Sequence, residues 1–173
     1  MGFLDLFKKK KKEQESANPQ EAAARYIAQV KAEKRDTLTK DQGKELRALY
    51  LKVAEEDGQE GALRAASGLM MEKKYRDAQF AYKLIMERFP EVQGLCLSQI
   101  GVAHSEMDEP DKALESYLLA RKEGAKPAMI DELIWYLCEE QFEATGSAQW
   151  LQQYLEHSPE GRYRKEAEAL QRA

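Results

Sequence analysis

The chain's whole supply of imidazole and thiol is two histidines, His104 and His157, and two cysteines, Cys96 and Cys138. Such groups together can hold zinc, and a thiol beside an imidazole can act as a nucleophile. The spacing supports neither chemistry. No pair stands at metal-ligand separation, and no HExxH, CxxC or EF-hand loop occurs. Phosphate-binding glycine patterns and a Gly-x-Ser-x-Gly elbow are missing as well. Cys96 and Cys138 fall mid-helix and read as small apolar fillers in a reducing compartment. His104 reads as a packed core histidine. The acid runs Glu55-Glu56-Asp57 and Glu139-Glu140 read as solvated faces, not as a carboxylate dyad. The expectation is a protein that is not an enzyme and needs no metal and no cofactor.

A different chemistry sits at the start, MGFLDLFKKKKK. Lys8, Lys9, Lys10, Lys11 and Lys12 are consecutive, and Asp5 is the one acid among these 12 residues, for a side-chain charge of +4. The remaining 22 basic and 30 acidic residues leave the body at −8. As a short helix, Phe3, Leu4 and Phe7 share one face, and the lysines follow directly. Apolar anchors beside lysines suit an anionic inner membrane face, at about 1 kcal/mol per lysine near the surface. The apolar part is too short to span a bilayer. It is not a secretory signal either, because the charge follows the apolar residues. Leu6 departs from the N-myristoylation pattern. The segment stands as a weak membrane contact or as a disordered solubilising tail.

The elements behind these residues are helical. Hydrophobic residues make up 43% and charged residues 34% of 173, enough apolar material for one core and no more than one domain with a tail. Ten glycines and five prolines are too few for a many-turned β-sandwich. Residues 1–18 read as an arm and linker. Residues 19–58 hold two N-terminal helices, a cap or a degenerate repeat. In the first, Asn18 caps, Pro19 opens and Glu21 closes a capping box. Ala22, Tyr26, Ile27 and Val30 form its apolar face. In the second, Leu46, Leu49, Tyr50 and Val53 form the stripe that ends at Asp57-Gly58. Beyond it, helices are predicted near 59–73, 76–89, 92–107, 110–123, 128–143, 147–156 and 159–171, with Pro110, Pro127 and Pro159 at helix starts.

Self-comparison finds a period. Shifted by 35 residues, Ala78 falls on Ala113 and Tyr82 on Tyr117, and a further shift lands on Ala148. A small residue followed four later by an aromatic lets two helices close up and then fills the gap beside them. The first unit adds Ala62, Ala65, Ala66, Leu69, Tyr75 and Pro90, and the second adds Leu97, Ile100, Gly101 and Ala120. The third fits loosely, through Ala148, Leu155 and Pro159, with Trp135-Tyr136 in place of a Leu-Gly pair.

Residues 59–159 thus resemble the tetratricopeptide repeat family of helix-turn-helix units. The resemblance implies an all-α fold: a right-handed superhelical stack of such units over 59–173, with capping helices, and with Ala167 and Leu170 turned inward from the last. It also implies a concave face made by the first helix of each unit. Leu63, Ser67 and Met70 would line it, followed by Leu95, Ser98, Val102 and Ser105, then Ile130, Leu133 and Leu137. The Lys and Asn that grip a partner's C-terminal carboxylate in some members are replaced here by Leu63, Ser67, Ser98 and Val102, so that clamp is not expected. An apolar lining with small hydroxyls suits a peptide or an amphipathic helix. The helix at 19–34 is a second candidate to fill the groove. Trp135, Tyr136, Trp150 and Tyr154 read as core aromatics.

The function expected is that of a protein-binding adaptor or scaffold in the cytoplasm, held peripherally at the membrane if the arm binds there. The rival readings are a nucleic-acid-associated protein using the lysine arm and an enzyme of unrecognised type. The acidic body weighs against nucleic acid.

Overall fold

The computed structural model describes residues 55–172, together with Asp41, Lys44, Ala48 and Lys52. Phe3, Leu4, Phe7, the lysines 8–12, the helix expected over 19–34 and the stripe Leu46, Leu49, Tyr50 and Val53 lie outside the described residues. Asp41, Lys44, Ala48 and Lys52 are themselves helical.

The described residues contain seven α-helices and no strand. We number them α1 (Gly58–Met71), α2 (Tyr75–Arg88), α3 (Gln93–Ser105), α4 (Pro110–Lys122), α5 (Pro127–Thr145), α6 (Ala148–His157) and α7 (Arg164–Arg172), with a 3-10 turn at Pro90–Val92 before α3. Pro110 and Pro127 open α4 and α5, where a missing N–H costs nothing. Gly146 closes α5 in the left-handed region at φ +69°, its N–H on the carbonyl of Phe142 at 2.7 Å. The chain divides into two compact units at Arg88 and Phe89.

In the first unit α1 and α2 pack as a hairpin. Ala62, Ala66 and Ala78 are fully buried, and the ring of Tyr82 is 1% exposed. Its hydroxyl lies 3.3 Å from that of Ser67 on α1.

The second unit runs from the 3-10 turn to α7. Each helix packs on the next in sequence, and α3 also touches α5. The α3–α4 hairpin repeats the interior of α1–α2: Ala113 is fully buried and Tyr117 is 2% exposed. Gly101 faces Tyr117 so closely that a Cβ would collide with the ring. The aromatic therefore occupies the volume that the missing side chain leaves. At the other end of α3, a Cβ on Gly94 would run into the backbone N of Ala125 and the carbonyl of Glu123.

A prediction follows for Gly94→Ala. Helix propensity alone favours alanine by about 1 kcal/mol. Backbone atoms cannot swing aside, so overpacking outweighs that gain, and a net loss of about 1–3 kcal/mol is expected. Chemical denaturation of the variant and the wild type measures the sign; a stabilised variant contradicts the close approach of α3 to the turn after α4.

The third hairpin departs from the period. Ala148 is exposed, and the buried side chains of α6 are Leu151 and Tyr154. Tyr154 lies 37 residues after Tyr117, not 35. The cause is α5, which has 19 residues against 13 in α3. No glycine or proline interrupts it before Gly146.

The last helix also starts later than expected. Pro159 is not at its start; residues 158–163 form successive turns, and α7 begins at Arg164. Hydrogen bonds to Asp131 and Tyr154, described below, hold those turns, and Arg164 adds bonds to the carbonyls of Pro159 and Gly161. Ala167 is fully buried, as a capping helix requires, and Leu170 is half-buried.

Candidate functional site

The first-helix faces are taken one unit at a time. On α1, Leu63, Ser67 and Met70 stand at i, i+4 and i+7 and share one side. Leu63 and Met70 are half-buried, Ser67 is exposed, and Met71 beside them is 85% exposed. A flexible thioether in water is adaptable contact surface.

On α3 the sequence expectation needs a correction. Ser98 is completely buried, and its hydroxyl donates to the carbonyl of Leu95 at 2.7 Å, inside its own helix. It cannot line a groove. Leu95 is 39% exposed, and Val102 and Ser105 are half-buried. The outward stripe of α3 is therefore Leu95, Gln99 and Val102, at steps of four and three, and Glu106 continues it just past the helix end. Gln99, four residues after Leu95 and three before Val102, takes the place on this face that the repeat register assigns to Ser98.

On α5, Ile130 and Leu137 are core residues at 0% and 3% exposure, and Leu133 alone of the three is half-buried. The expected lining of the third unit therefore lies mostly in the interior.

The aromatic group near the C-terminal end is part core and part surface. Trp135 and Tyr154 are buried and meet edge to face at 5.1 Å. Tyr163, whose run Arg162-Tyr163-Arg164 reads in the sequence as a small basic cluster on a solvated surface, instead stacks on Trp135 at 5.2 Å and 9°. Trp150 is half-buried. Tyr136 is not core: it is 55% exposed and borders Tyr163 at 6.1 Å between centroids.

His104 is not the packed core histidine expected. Its side chain keeps 17% exposure, and Nδ1 lies 2.6 Å from the carboxylate of Glu109. The Glu109 N–H also donates to the His104 carbonyl at 3.0 Å, which ties the end of α3 to the start of α4. Hydrogen bonds from His104 and from Lys112 hold the Glu109 carboxyl below its ordinary range. A lowered folded-state value stabilises the fold above the unfolded-state value, and that contribution is lost as pH falls through the folded one.

Cys96 and Cys138 are fully buried, and burial pushes both thiols up to about 12. Because the folded values exceed the ordinary 9.0, the neutral thiols favour folding below pH 9, and that advantage fades as pH rises toward about 12. Thiolate is the reactive form. At pH 8, the native protein is expected to react with an aromatic disulfide reagent roughly 100-fold more slowly than the protein unfolded in guanidinium. Rapid titration of both thiols in the native state contradicts their burial.

The densest polar arrangement lies between α5, α6 and the turns before α7. Asp131 is buried at 9% exposure and accepts twice. The Tyr154 hydroxyl donates to Oδ1 at 3.1 Å, and the Arg162 N–H donates to Oδ2 at 3.0 Å. The Tyr154 hydroxyl in turn accepts the Tyr163 N–H at 3.0 Å, and Gly161 N–H reaches the Ser158 carbonyl at 2.8 Å. Gly161 is required here, since a Cβ would strike both the Tyr154 hydroxyl and Asp131. The set works as a clasp that fixes α7 as the end cap.

Beside this clasp is a surface cleft of about 470 Å³, bordered by Arg121, Ala128, Asp131, His157 and Arg162. Among the described residues, no group of three metal-ligating side chains comes together, and no helix is long and apolar enough to cross a membrane. No protein-family model, no curated protein and no solved structure matches the chain.

Proposed function

We propose that the chain is a non-enzymatic adaptor or scaffold. Its hairpins stack in the tetratricopeptide manner, and the first-helix faces bind a peptide or an amphipathic helix. The basic arm, Phe3 to Lys12, holds the protein loosely to an anionic membrane surface on the cytoplasmic side.

The observation that carries this reading is the stripe on α3. That helix is apolar on nearly every side. Cys96, Leu97, Ile100 and Ala103 are buried, yet Leu95 and Val102 remain at the surface. A helix that only served the core would carry polar residues at these two positions as it does at Gln99 and Glu106. The equivalence of Ala78 with Ala113 and of Tyr82 with Tyr117, both pairs buried, supports the repeat. The two thiols are buried with raised pKa values and His104 is held by Glu109, so none of these three is poised as a nucleophile.

Affinity capture from the native lysate tests the binding claim. The wild-type bait is expected to retain a partner that Leu95→Glu/Val102→Glu loses, with the melting temperature of the variant kept within a few degrees. Identical proteins on both baits overturn the assignment of α3. The arm is tested separately by sedimentation with phosphatidylserine vesicles, where deletion of residues 2–12 is expected to abolish binding. Unchanged sedimentation removes the membrane role, and a salt-sensitive mobility shift with RNA transfers the arm to nucleic acid.

A further inference from the structure

The second unit offers apolar surface on α5 as well as on α3, and these two helices touch. On α5, Leu133, Tyr136, Glu140 and Glu143 stand at steps of three, four and three, opposite the buried Ile134 and Cys138. Leu133 is half-buried and Tyr136 is 55% exposed. With Leu95 and Val102 of α3, four large apolar side chains remain at the surface of two neighbouring helices.

The charge on these helices has one sign. Neither α3 nor α5 contains a lysine or an arginine. Glu140 and Glu143 are exposed on α5, and Glu106 is exposed just past the end of α3. Besides burial, the charges of Glu106 and Glu140 both push the Tyr117 phenol up, so carboxylates from the two helices lie near one ring. Of the cations on neighbouring elements, Arg162 reaches Glu132 at 3.3 Å and Lys112 reaches Glu109 at 3.1 Å.

We propose that this combined face binds a cationic amphipathic peptide segment. Its apolar side chains lie on Leu95, Val102, Leu133 and Tyr136, and its lysines or arginines lie toward Glu106, Glu140 and Glu143. The proposal rests on the reading of α3 as a binding face, and adds the sign of the partner's charge and the extension onto α5. Tyrosine is among the residues that carry most of the binding energy at interfaces. Carboxylates at the rim steer a basic partner in and turn an acidic one away.

The test is fluorescence anisotropy on the full chain with a labelled leucine–lysine peptide, its leucines at helical spacing, beside a leucine–glutamate peptide of the same spacing. The lysine peptide is expected to bind at least roughly tenfold more tightly at about 20 mM salt, and to lose most of that preference at about 500 mM. Glu140→Lys/Glu143→Lys is expected to weaken it roughly tenfold. Glu115→Lys/Glu156→Lys makes the same change of net charge at exposed positions on α4 and α6, and is expected to stay within about twofold of wild type. Tyr136→Ser, which removes a ring already in water, is expected to keep the melting temperature within a few degrees and to weaken the lysine peptide roughly fivefold. Equal binding of the two peptides, binding of neither, or equal losses from the two double reversals overturns the proposal. The α3 face itself is then still judged by the capture assay with Leu95→Glu/Val102→Glu. Deletion of residues 2–12 that tightens binding of the lysine peptide tenfold also overturns it, because the occupant is then the chain's own arm.

Discussion

Tyr117→Ala should cost about 3–5 kcal/mol, the range for large buried aromatics. The ring is 2% exposed and sits against Gly101, with the Ala113 carbonyl beside it. Its removal leaves a cavity, and Gly101, which faces the ring, has no side chain to move into it. In a chain of this size each kcal/mol lowers the melting temperature by about 2–4 °C, so a fall of about 10 °C is expected. Burial and the nearby charges of Glu106 and Glu140 also push the phenol well above its ordinary value of 10.0. The neutral ring therefore favours folding below that value, and stability declines at alkaline pH as the ring is driven to ionise. Calorimetry of the variant checks the size of the effect. A melting temperature within 2 °C of the wild type would be incompatible with the packing described.

Asp131→Ala is the second large effect, at about 3 kcal/mol, since two hydrogen bonds to a charged acceptor disappear. The Tyr154 hydroxyl and the Arg162 N–H are both left without that acceptor. The damage has a place as well as a size. Hydrogen exchange should accelerate first at Arg162 and Tyr163, whose amides depend on the clasp, and then along α7 (Arg164–Arg172). Tyr154→Phe removes the bond to Asp131 and the acceptor of the Tyr163 N–H but keeps the carboxylate, so its loss should be smaller, with exchange faster at Tyr163 and the Arg162 amide spared. Uniform acceleration over α3 and α4 would instead mean that Asp131 supports the whole unit.

These two sites show what could be read from the sequence and what could not. The α3–α4 hairpin was legible because its packing is written in residue size: Gly101 and Ala113 are small and Tyr117 is large. Seven helices were placed within a few residues for a related reason. Proline and glycine punctuate them, and those signals are local. The start of α7 was missed because a proline at 159 looks the same whether it opens a helix or a turn. The decision rests with Asp131, 31 residues before Arg162, and no local pattern couples those positions. Ser98 was misplaced for a different reason. An alignment to repeat positions ranked it with Leu95 and Val102, while its short hydroxyl could be satisfied within the helix and so be buried at little cost. His104 similarly gave no sign of Glu109, since a histidine at an aromatic position and a histidine held by an acid five residues on share one sequence.

The functional account concentrates on one surface. If α3 binds a partner, a photoreactive benzoylphenylalanine at Leu95 or Val102 will be in contact with another polypeptide. The same group at Glu115, an exposed position on α4, will not. Irradiation of the intact protein in its native lysate gives the direct answer. Discrete higher-mass adducts from Leu95 and Val102, absent from Glu115, are the result expected. No adduct from either α3 position, or the same adducts from all three, would contradict the claim that this helix is the binding face.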